Sequence, residues 1–573
     1  MMAARRVLAA AVLGAAMCLT SAAGSAQAAE DARRPKKLIA TGWDKPNSER
    51  LLKNLALMEK RPFDGVVLTA EGRRDDGKTC PMRATFSAEP WKREWFDHTV
   101  RNLKACRFTR FTDNFVQVGA NPGNVDWFDD DGWRQIVDHW RIAAWVAKQG
   151  GLKGLLFDPE PYTPPHAQFT WAAQPRHDKH SFDAYAAKAR ERGRQVMAAV
   201  VAEFPDATLY GYFLNSVCTQ ATGHRDPNRI LAGAGYGLLP AFLDGWLDAA
   251  PPGVTFVDGC ERAYLFNSAG EYLEAAVGIK GACQELVSPE NRARYRTQVQ
   301  VSFGMYLDAY WNPKGSQWDA WYVDGLGGPR VDRLRANVRT ALRAADEYVW
   351  IYGEKFHWWP TPNSRVKEKS WPEALPGCDD AIRYARDPVE YGRYRIAGMA
   401  KAGTLANLAA NGDFGSEKAT VGDREVVWKE GRPPAGWGAW QTSDSKGTFT
   451  WDRAVGAAAA GAGCIRNVSE GCFIQRCEAK PGERYAVGAV RRLNGSGDAL
   501  LRVRWQTADQ VWTATAADVV ILCDGPRDAW AEGFAVVEVP EGVGRLVILL
   551  LVRGQASDGD VAWFDDVRLY RLD

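Results

Sequence analysis

Short apolar runs alternate with amphipathic stretches from Leu38 to about Trp359. Eight of these runs have the length and the β-branched or aromatic content of buried strands. They are Leu38–Gly42, Gly65–Thr69, Phe111–Val118, Gly154–Phe157, Thr208–Phe213, Thr255–Val257, Gln300–Tyr306 and Tyr348–Tyr352. The stretches between them have helical periodicity, and several begin with a capping residue. The clearest helical stretches are Ser48–Lys60, Trp133–Lys148, Phe182–Phe204, Leu238–Ala249 and Val331–Ala345.

This alternation predicts an α/β fold. Eight β/α units in about 320 residues is the size of a closed parallel barrel with loop insertions. An open doubly wound sheet is the alternative, but no G-x-G-x-x-G or Walker pattern follows the first run. We therefore predict a (β/α)8 TIM-type barrel over residues 29–400.

The pattern changes after Leu405, where glycines and short alternating strands dominate. The clearest strands are Gly482–Arg492, Ala499–Gln506, Phe534–Val539 and Arg545–Val552. Many short strands separated by turn residues are typical of a sandwich or barrel. Residues 405–573 are therefore predicted to form an all-β jelly-roll sandwich.

The first 28 residues have the three parts of an export signal. Arg5 and Arg6 supply positive charge, Val7–Leu19 is apolar, and Ala26-Gln27-Ala28 is a small-residue cleavage site. An uncleaved anchor is the alternative, but the apolar run is shorter than the roughly 20 residues that span a bilayer. Lipidation at Cys18 is a second alternative, and the residues before it match poorly. We predict cleavage and a secreted or periplasmic protein.

Composition narrows the class of partner. The net charge of +2 gives no electrostatic reason to bind nucleic acid or an anionic membrane, and no later segment is apolar enough to predict membrane integration. The 24 tryptophans favour a carbohydrate partner, since indole rings stack on sugar faces, although core packing is the alternative for each.

Cysteine and histidine usage bears on metals and cross-links. No C-x-x-C pair or histidine cluster occurs, so no cofactor for catalysis is expected. After the signal, six cysteines lie between Cys80 and Cys378, and four between Cys464 and Cys523. These even numbers permit disulfides outside the cytoplasm, with the pairing left open.

Candidate catalytic residues follow from the rule that barrel chemistry sits at the C-terminal ends of the strands. Cleavage of a glycosidic bond usually needs two carboxyl groups. Glu160 is the candidate acid, because neighbouring carboxylates and apolar groups would raise its pKa. Glu354 is its candidate partner, Asp158 competes for that role, and the alternative is that these acids only form ion pairs, as Glu354 could with Lys355.

Other acidic and aromatic residues after the same strands are candidate substrate-binding residues. They are Tyr162, Asp258, Glu261, Asp308, Tyr310, Trp311, Trp358 and Trp359. The aromatic members suit a sugar-stacking wall, or alternatively they pack beneath loops. The acidic members contact substrate or serve the structure.

Two families of barrel hydrolase resemble the end of the fourth run. Glu160-Pro161 resembles the end of the Asn-Glu-Pro motif of a large clan of retaining glycoside hydrolases, which implies an acid/base role for Glu160. Pro159 replaces the clan's Asn, and the clan's nucleophile follows strand seven, whereas Glu354 follows strand eight.

The second resemblance is to chitinase-type barrels. Asp158-Pro159-Glu160 is similar to their Asp-x-Glu ending, which implies attack by the substrate's own acetamido group. Lys153 and Leu156 stand where the longer chitinase motif has aspartates. The two resemblances leave both mechanisms open.

The C-terminal region resembles jelly-roll carbohydrate-binding modules in four landmarks. They are Asn411-Gly412-Asp413-Phe414, Pro434-Ala435-Gly436-Trp437, Pro481-Gly482-Glu483-Arg484-Tyr485 and Trp563-Phe564-Asp565-Asp566-Val567. The resemblance implies a structural calcium near Asp413 and Asp566, whose oxygens suit that ion. The candidate stacking residues are Trp437, Trp440, Trp512 and Trp530. A sandwich that only packs on the barrel is the alternative.

The leading hypothesis is thus a glycoside hydrolase, retaining, that acts on a poly- or oligosaccharide outside the cytoplasm. The alternative from another class is an exported glycan-binding protein with an inactive barrel. A barrel hydrolase for peptides or esters is less favoured, because no G-x-S-x-G elbow occurs and the seven histidines offer few bases.

Overall fold

The structure, a computed structural model, describes residues 36–163 and 166–573, so the predicted export signal lies outside the described residues. The chain divides into two compact units, one ending at Arg386 and the other spanning Asp387–Asp573. The helix Pro388–Ala402 belongs to the second unit, whereas the sequence interpretation assigned residues up to 400 to the barrel.

The first unit contains a parallel β-barrel. Its strands are β1 (Lys37–Gly42), β2 (Gly65–Leu68), β3 (Phe115–Gly119), β4 (Gly154–Asp158), β5 (Thr208–Gly211), β6 (Thr255–Asp258), β7 (Val299–Val301 and Phe303–Tyr306) and β8 (Tyr348–Gly353). Neighbours along the chain pair in parallel, and β8 pairs with β1. The first segment of β7 pairs with β6 and the second with β8, so the ladder closes through Ser302. The predicted barrel fold is confirmed.

Buried polar side chains determine where some strands begin. The third run was predicted to start at Phe111, but β3 starts at Phe115. The amide of Asn114 explains the difference: its Nδ2 donates to the carbonyl of Phe111 at 2.6 Å, and its Oδ1 accepts from the N–H of Val66 at 3.1 Å. Because this side chain ties a turn to β2, residues before it do not join the ladder.

Helices surround the barrel, and side chains cap several of them. The longer ones are Ser48–Met58, Asp97–Ala105, Asp130–Gln149, Phe182–Glu203, Leu239–Ala249, Ala269–Lys280, Arg292–Gln298, Arg330–Ala344 and Cys378–Arg386. Asn47 and Ser181 accept backbone N–H groups at two helix starts, and Ser268 with Glu271 forms a capping box.

Much of the tryptophan surplus packs the core. Seven tryptophans of the described residues have less than 2% of their surface exposed: Trp127, Trp133, Trp140, Trp246, Trp350, Trp371 and Trp505. Trp140 packs edge-on against Trp246 with a centroid distance of 5.6 Å, and Trp127 stacks on Trp133 at 4.7 Å. For these residues the packing alternative is correct, and the tryptophan count alone gives weaker support for sugar binding.

The second unit is a sandwich of two five-stranded antiparallel sheets. One sheet contains Gly438–Gln441, Glu470–Glu478, Arg545–Arg553, Asp498–Gln506 and Val519–Ile521, and the other contains Thr448–Asp452, Ala462–Arg466, Val561–Arg571, Arg484–Asn494 and Ala531–Glu538. Apolar side chains from both sheets form one core between them. The predicted sandwich is confirmed.

All ten cysteines in the described residues are free thiols, and only Cys477 among them is not fully buried. The disulfides that their even numbers permit are therefore not formed within residues 36–163 and 166–573. No helix in that part of the chain has the length and apolar character needed to cross a membrane.

Candidate active site

A cleft of about 610 Å³ opens at the C-terminal ends of the barrel strands. Residues within or after six of the eight strands line it: Trp43, Lys45, Thr69, Glu71, Arg83, Gln117, Asp158, Tyr162, Tyr212, Tyr352, Asn363 and Arg365. Its volume is that of an ordinary small-molecule site, and its position is the one where barrel enzymes carry their chemistry.

Asp158 is the last residue of β4 and lies at the base of this cleft, with 3% of its surface exposed. Its Oδ2 accepts hydrogen bonds from Gln117 Nε2 and the Tyr162 hydroxyl, both at 3.2 Å, and its Oδ1 accepts from the N–H of Glu160 at 3.2 Å. Burial, together with the charge of Glu160, raises the pKa of Asp158 to about 7.

Glu160 lies two residues further on, half-buried at the rim. The Tyr162 hydroxyl donates to its Oε2. Asn121, in the loop after β3, fixes the backbone of this segment. Its Nδ2 donates to the carbonyl of Glu160 at 3.0 Å, and its Oδ1 accepts from the N–H of Tyr162 at 2.9 Å. The two acids and the tyrosine are therefore held as one group.

Glu354 follows β8. Its Oε2 accepts from the Tyr306 hydroxyl at 2.9 Å, and its N–H donates to Asp308 Oδ2 at 2.8 Å. Burial raises the pKa of Glu354, and the charges of Asp308 and Glu160 act in the same direction. Lys355, the suspected partner of Glu354, instead places its Nζ 3.5 Å from Asp308 Oδ1.

Glu261, in the turn after β6, belongs to the same cluster. Burial raises its pKa to about 8, and the charges of Glu160, Asp158 and Glu354 add to the effect. The structure thus brings together acids from the ends of β4, β6 and β8, and places the predicted catalytic residues Asp158, Glu160 and Glu354 in one electrostatic group.

Lys45 is the main residue that the sequence interpretation missed. It follows β1, and its Nζ donates to the carbonyl of Gly42. Burial lowers its pKa to about 8, while the negative charges of Asp158 and Glu354 oppose that shift. The signal was present, since Lys45 lies three residues beyond the first predicted strand, but only acidic and aromatic strand ends were considered.

A layer of aromatic residues lies beneath and beside the acids. The ring of Tyr212 stacks on Trp350 with centroids 4.5 Å apart, and its hydroxyl is 2.8 Å from Thr41 Oγ1. Tyr264 stacks on Tyr306 at 5.0 Å and on Tyr352 at 5.7 Å. Such rings lower the polarity around the carboxyl groups, which is consistent with their raised pKa values.

Three predicted substrate-binding residues lie beneath the cleft surface. Asp258 is fully buried and accepts from the N–H and hydroxyl of Ser216 at 2.8 and 2.5 Å, so it organises the loop after β5. Asp308 is also buried and holds the backbone of Glu354. The hydroxyl of the buried Tyr310 accepts from Asn337 Nδ2 at 2.8 Å.

Two of the three tryptophans of the predicted stacking wall are buried, and Trp311 is half-buried. Trp358 and Trp359 are buried, and both pack edge-on against Phe63, with centroid distances of 5.0 and 6.2 Å. Trp311 packs edge-on against Phe356 at 5.1 Å. The exposed rings that line the cleft are the predicted Tyr162, with 53% of its surface exposed, and Trp43, which was not predicted, with 49% exposed.

In the sandwich, the predicted stacking residues differ in exposure. Trp437 is buried, and its Nε1 donates to the carbonyl of Asn411 at 3.3 Å. Trp440 has 52% of its surface exposed, and Trp512 has the guanidinium of Arg504 over its ring at 4.3 Å. Trp530 is half-buried.

The predicted calcium ligands lie close to a third carboxylate. Burial raises the pKa of Asp565, and the charges of Asp566 and Asp413 add to that effect. Arg568 Nε lies 3.5 Å from Asp566 Oδ2. Within the described residues no three His, Cys, Asp or Glu side chains are arranged to hold a metal ion. The calcium at Asp413 and Asp566 remains a prediction.

No protein-family model matches the chain, and no curated protein matches its sequence. Solved structures with local similarity include tailspike protein 4 of bacteriophage CBA120, at 16% identity and a TM-score of 0.22, over 29% of this chain and 21% of that one.

Two further similar structures are glycoside hydrolases by name. The CBM22-1–GH10 modules of the Clostridium thermocellum endo-1,4-beta-D-xylanase 10B match at 16% identity and a TM-score of 0.19, over 24% of this chain and 26% of that one. An arabinose-bound GH51 α-L-arabinofuranosidase matches at 18% identity and a TM-score of 0.21, over 30% and 27%. The chain therefore spans about a quarter of each.

Proposed function

We propose that this protein is a glycoside hydrolase that acts on a poly- or oligosaccharide outside the cytoplasm. The observation that carries the proposal is the group of carboxyls at the ends of β4, β6 and β8 beside an open cleft, where burial and the charge of Glu160 raise the pKa values of Asp158, Glu261 and Glu354. The exposed rings of Trp43 and Tyr162 supply surfaces on which a sugar can stack. The location is proposed from the export signal that the sequence predicts in residues 1–28.

Glu160 is the proposed acid/base. It is the most accessible of the β4 acids, and its Oε2 already accepts a hydrogen bond from the Tyr162 hydroxyl. In the first step its proton passes to the leaving glycosidic oxygen, and in the second step the ionised group removes a proton from water.

In the first step, Glu354 or Asp158 serves as the nucleophile or as the group that stabilises positive charge at the anomeric carbon. A nucleophile must be ionised, and hydrogen bonds to the carboxylate favour that form. Glu354 receives one such bond from Tyr306, and Asp158 receives bonds from Gln117, Tyr162 and a backbone N–H. Attack by either carboxylate on the anomeric carbon gives a covalent intermediate and net retention.

A glycan panel on the protein without its signal tests the proposal. Glu160→Gln should lower kcat by about 10²–10⁴-fold on any glycan that the wild type cleaves. Glu274→Gln, on the exposed face of the helix Ala269–Lys280, is the matched control and should leave kcat unchanged. Full activity of Glu160→Gln on every responsive glycan would refute the assignment.

The nucleophile is identified separately. Glu354→Ala and Asp158→Ala should each be tested for rescue by azide, which can replace a missing carboxylate nucleophile and yields a glycosyl azide. Proton NMR of the first product should show retention of the anomeric configuration. An inverted product would instead require a water molecule between carboxyls about 6.5–9.5 Å apart.

The second candidate function is glycan binding without hydrolysis. The exposed Trp440 on the sandwich favours it, because a solvent-exposed indole on a sheet is a surface for sugar stacking. Glycan binding by the wild type that Trp440→Ala abolishes, with no hydrolysis of any glycan, would support this function instead.

A further inference from the structure

The positively charged residues of the cleft lie on a different side of it from most of the acids. Asp158, Glu160, Glu261 and Glu354 lie at the ends of β4, β6 and β8, and Glu71, after β2, is the only acid of the described residues that lines the other side of the cleft. The cations Lys45, Arg83 and Arg365 come from the segments after β1, between β2 and β3, and after β8. Since β8, β1, β2 and β3 are consecutive neighbours in the barrel, the three cations share one wall.

Arg83 is held at this wall by its backbone. It lies in the single turn Met82–Ala84, where the N–H of Met82 donates to the carbonyl of Ala70 at 2.8 Å. Next to the turn, the hydroxyl of Thr85 donates to the carbonyl of Gly119, at the end of β3, at 2.7 Å. The backbone is therefore anchored to the barrel while the side chain is exposed.

Arg365 is fastened in a similar way. Its N–H donates to Asn363 Oδ1 at 3.0 Å, and Asn363 Nδ2 donates to the carbonyl of Trp43 at 3.0 Å. Thr361 Oγ1 also donates to Asp44 Oδ1, at 2.5 Å. These bonds join the loop after β8 to the loop after β1 and keep Arg365 beside the cleft.

In the part of the chain that the structure describes, neither guanidinium has a partner. Many other arginines of the barrel unit pair with a carboxylate, such as Arg50 with Asp44 at 2.7 Å and Arg386 with Asp64 at 2.5 Å. Within residues 36–163 and 166–573, no carboxylate pairs with Arg83 or Arg365. Two unpaired guanidinium groups on a cleft wall suit an anionic ligand, because their forked donors match the oxygens of a carboxylate or sulfate.

We propose that Arg83 and Arg365 bind a carboxylate or sulfate substituent of the sugar, so that the cleft selects an anionic glycan over a neutral one. The inference rests on the proposed function for its ligand, a glycan lying across the acids. Lys45 lines the same cleft and adds positive charge that acts on Asp158 and Glu354.

Binding and hydrolysis are measured on three probes of equal length with the protein lacking only its signal: an oligogalacturonate, a sulfated galactan oligosaccharide and a neutral xylo-oligosaccharide. The double variant Arg83→Gln, Arg365→Gln should weaken binding of the preferred anionic probe by at least about tenfold. Binding of the neutral probe should not change. Added salt should weaken the wild type on the anionic probe and have little effect on the variant.

Two controls complete the design. Arg83→Lys with Arg365→Lys keeps the charge and should retain part of the affinity. Arg101→Gln removes an exposed arginine on the helix Asp97–Ala105 and should behave as the wild type. Circular dichroism of each variant verifies folding, and the lysine pair supplies the test if the glutamine pair does not fold.

The outcomes separate the two proposals. Equal loss on all three probes, or no loss on either anionic probe, overturns the anionic-glycan inference. Arginine-dependent binding of an anionic probe without hydrolysis of any glycan supports the inference and contradicts the hydrolase. Cleavage of the neutral probe alone, unaffected by the arginine substitutions, supports the hydrolase and overturns the inference. The two anionic probes distinguish a carboxylate from a sulfate.

Discussion

At the scale of single residues, the pKa values of the acids beside the cleft are set by burial, by the charges of neighbouring carboxylates and by the ammonium groups of Lys45 and Lys355. Lys45 is the cation whose charge acts directly on Asp158 and Glu354, and burial brings its own pKa to about 8. The protonation state of Asp158, whose pKa is about 7, therefore depends on whether Lys45 is charged.

Lys45→Met should move the acidic limb of the pH profile of kcat/KM to higher pH. A positive neighbour lowers the pKa of a carboxyl, so its removal raises the pKa of Asp158 above about 7 and delays formation of the carboxylate. Lys45→Arg keeps the charge and should leave the limb in place. A profile for Lys45→Met that superimposes on the wild type would contradict this account.

Glu261 gives a prediction about stability. Its pKa in the folded protein is raised to about 8, so the folded state favours the protonated carboxyl. Its contribution to the free energy of unfolding is complete below its ordinary pKa and is lost as the pH rises toward 8. Glu261→Gln should therefore have a higher Tm than the wild type at pH 8, with a smaller difference at pH 5. Thermal melts between these two pH values test the sign, and a difference independent of pH would be the contrary result.

At the scale of elements, the alternation of apolar runs predicted all eight barrel strands, because parallel strands are buried on both faces and need continuous apolar sequence. What it could not predict was where polar side chains interrupt them. Asn114 delays β3, and Ser302 divides β7 into two paired segments. Such interruptions depend on partners distant in sequence.

In the helix Pro388–Ala402, packing against the sheet determines which of two glycines can be replaced by a larger residue. A Cβ at Gly392 would lie 2.4 Å from Val536 Cγ2, whereas a Cβ at Gly398 would have no atom within 4 Å. Gly392→Ala should therefore destabilise the second unit by about 1–2 kcal/mol through overpacking. Gly398→Ala, in the same helix, should stabilise it by about 0.5–1 kcal/mol. Urea denaturation of both variants tests the contrast, and equal shifts would contradict it.

The site was predictable only in part. Acids at strand ends were recognised because barrel chemistry has a fixed location. The aromatic residues were assigned less well, since Trp358 and Trp359 have the same strand-end position as the acids but pack on Phe63. Sequence position gives the end of the barrel at which a residue lies, and only the packing of loops decides whether its ring faces the cleft.

At the scale of the whole molecule, each unit has its own apolar core. A fragment spanning Asp387–Asp573 should therefore fold alone and unfold cooperatively. A fragment that starts at residue 405 lacks the helix that packs on Phe534 and Val536, so it should be less stable. Calorimetry of the two fragments measures the difference, and equal Tm values would show that the helix contributes nothing.

Asn121 has a consequence for redesign of the protein. Its one amide both donates to and accepts from the segment that carries Glu160 and Tyr162. A carboxylate at this position could not donate a hydrogen bond, and an aliphatic side chain could neither donate nor accept one. The connection between the loops after β3 and β4 therefore uses both functions of one carboxamide. An engineer who wishes to change the ligand preference of the cleft would keep position 121 as it is and vary the residues after β1, β2 and β8.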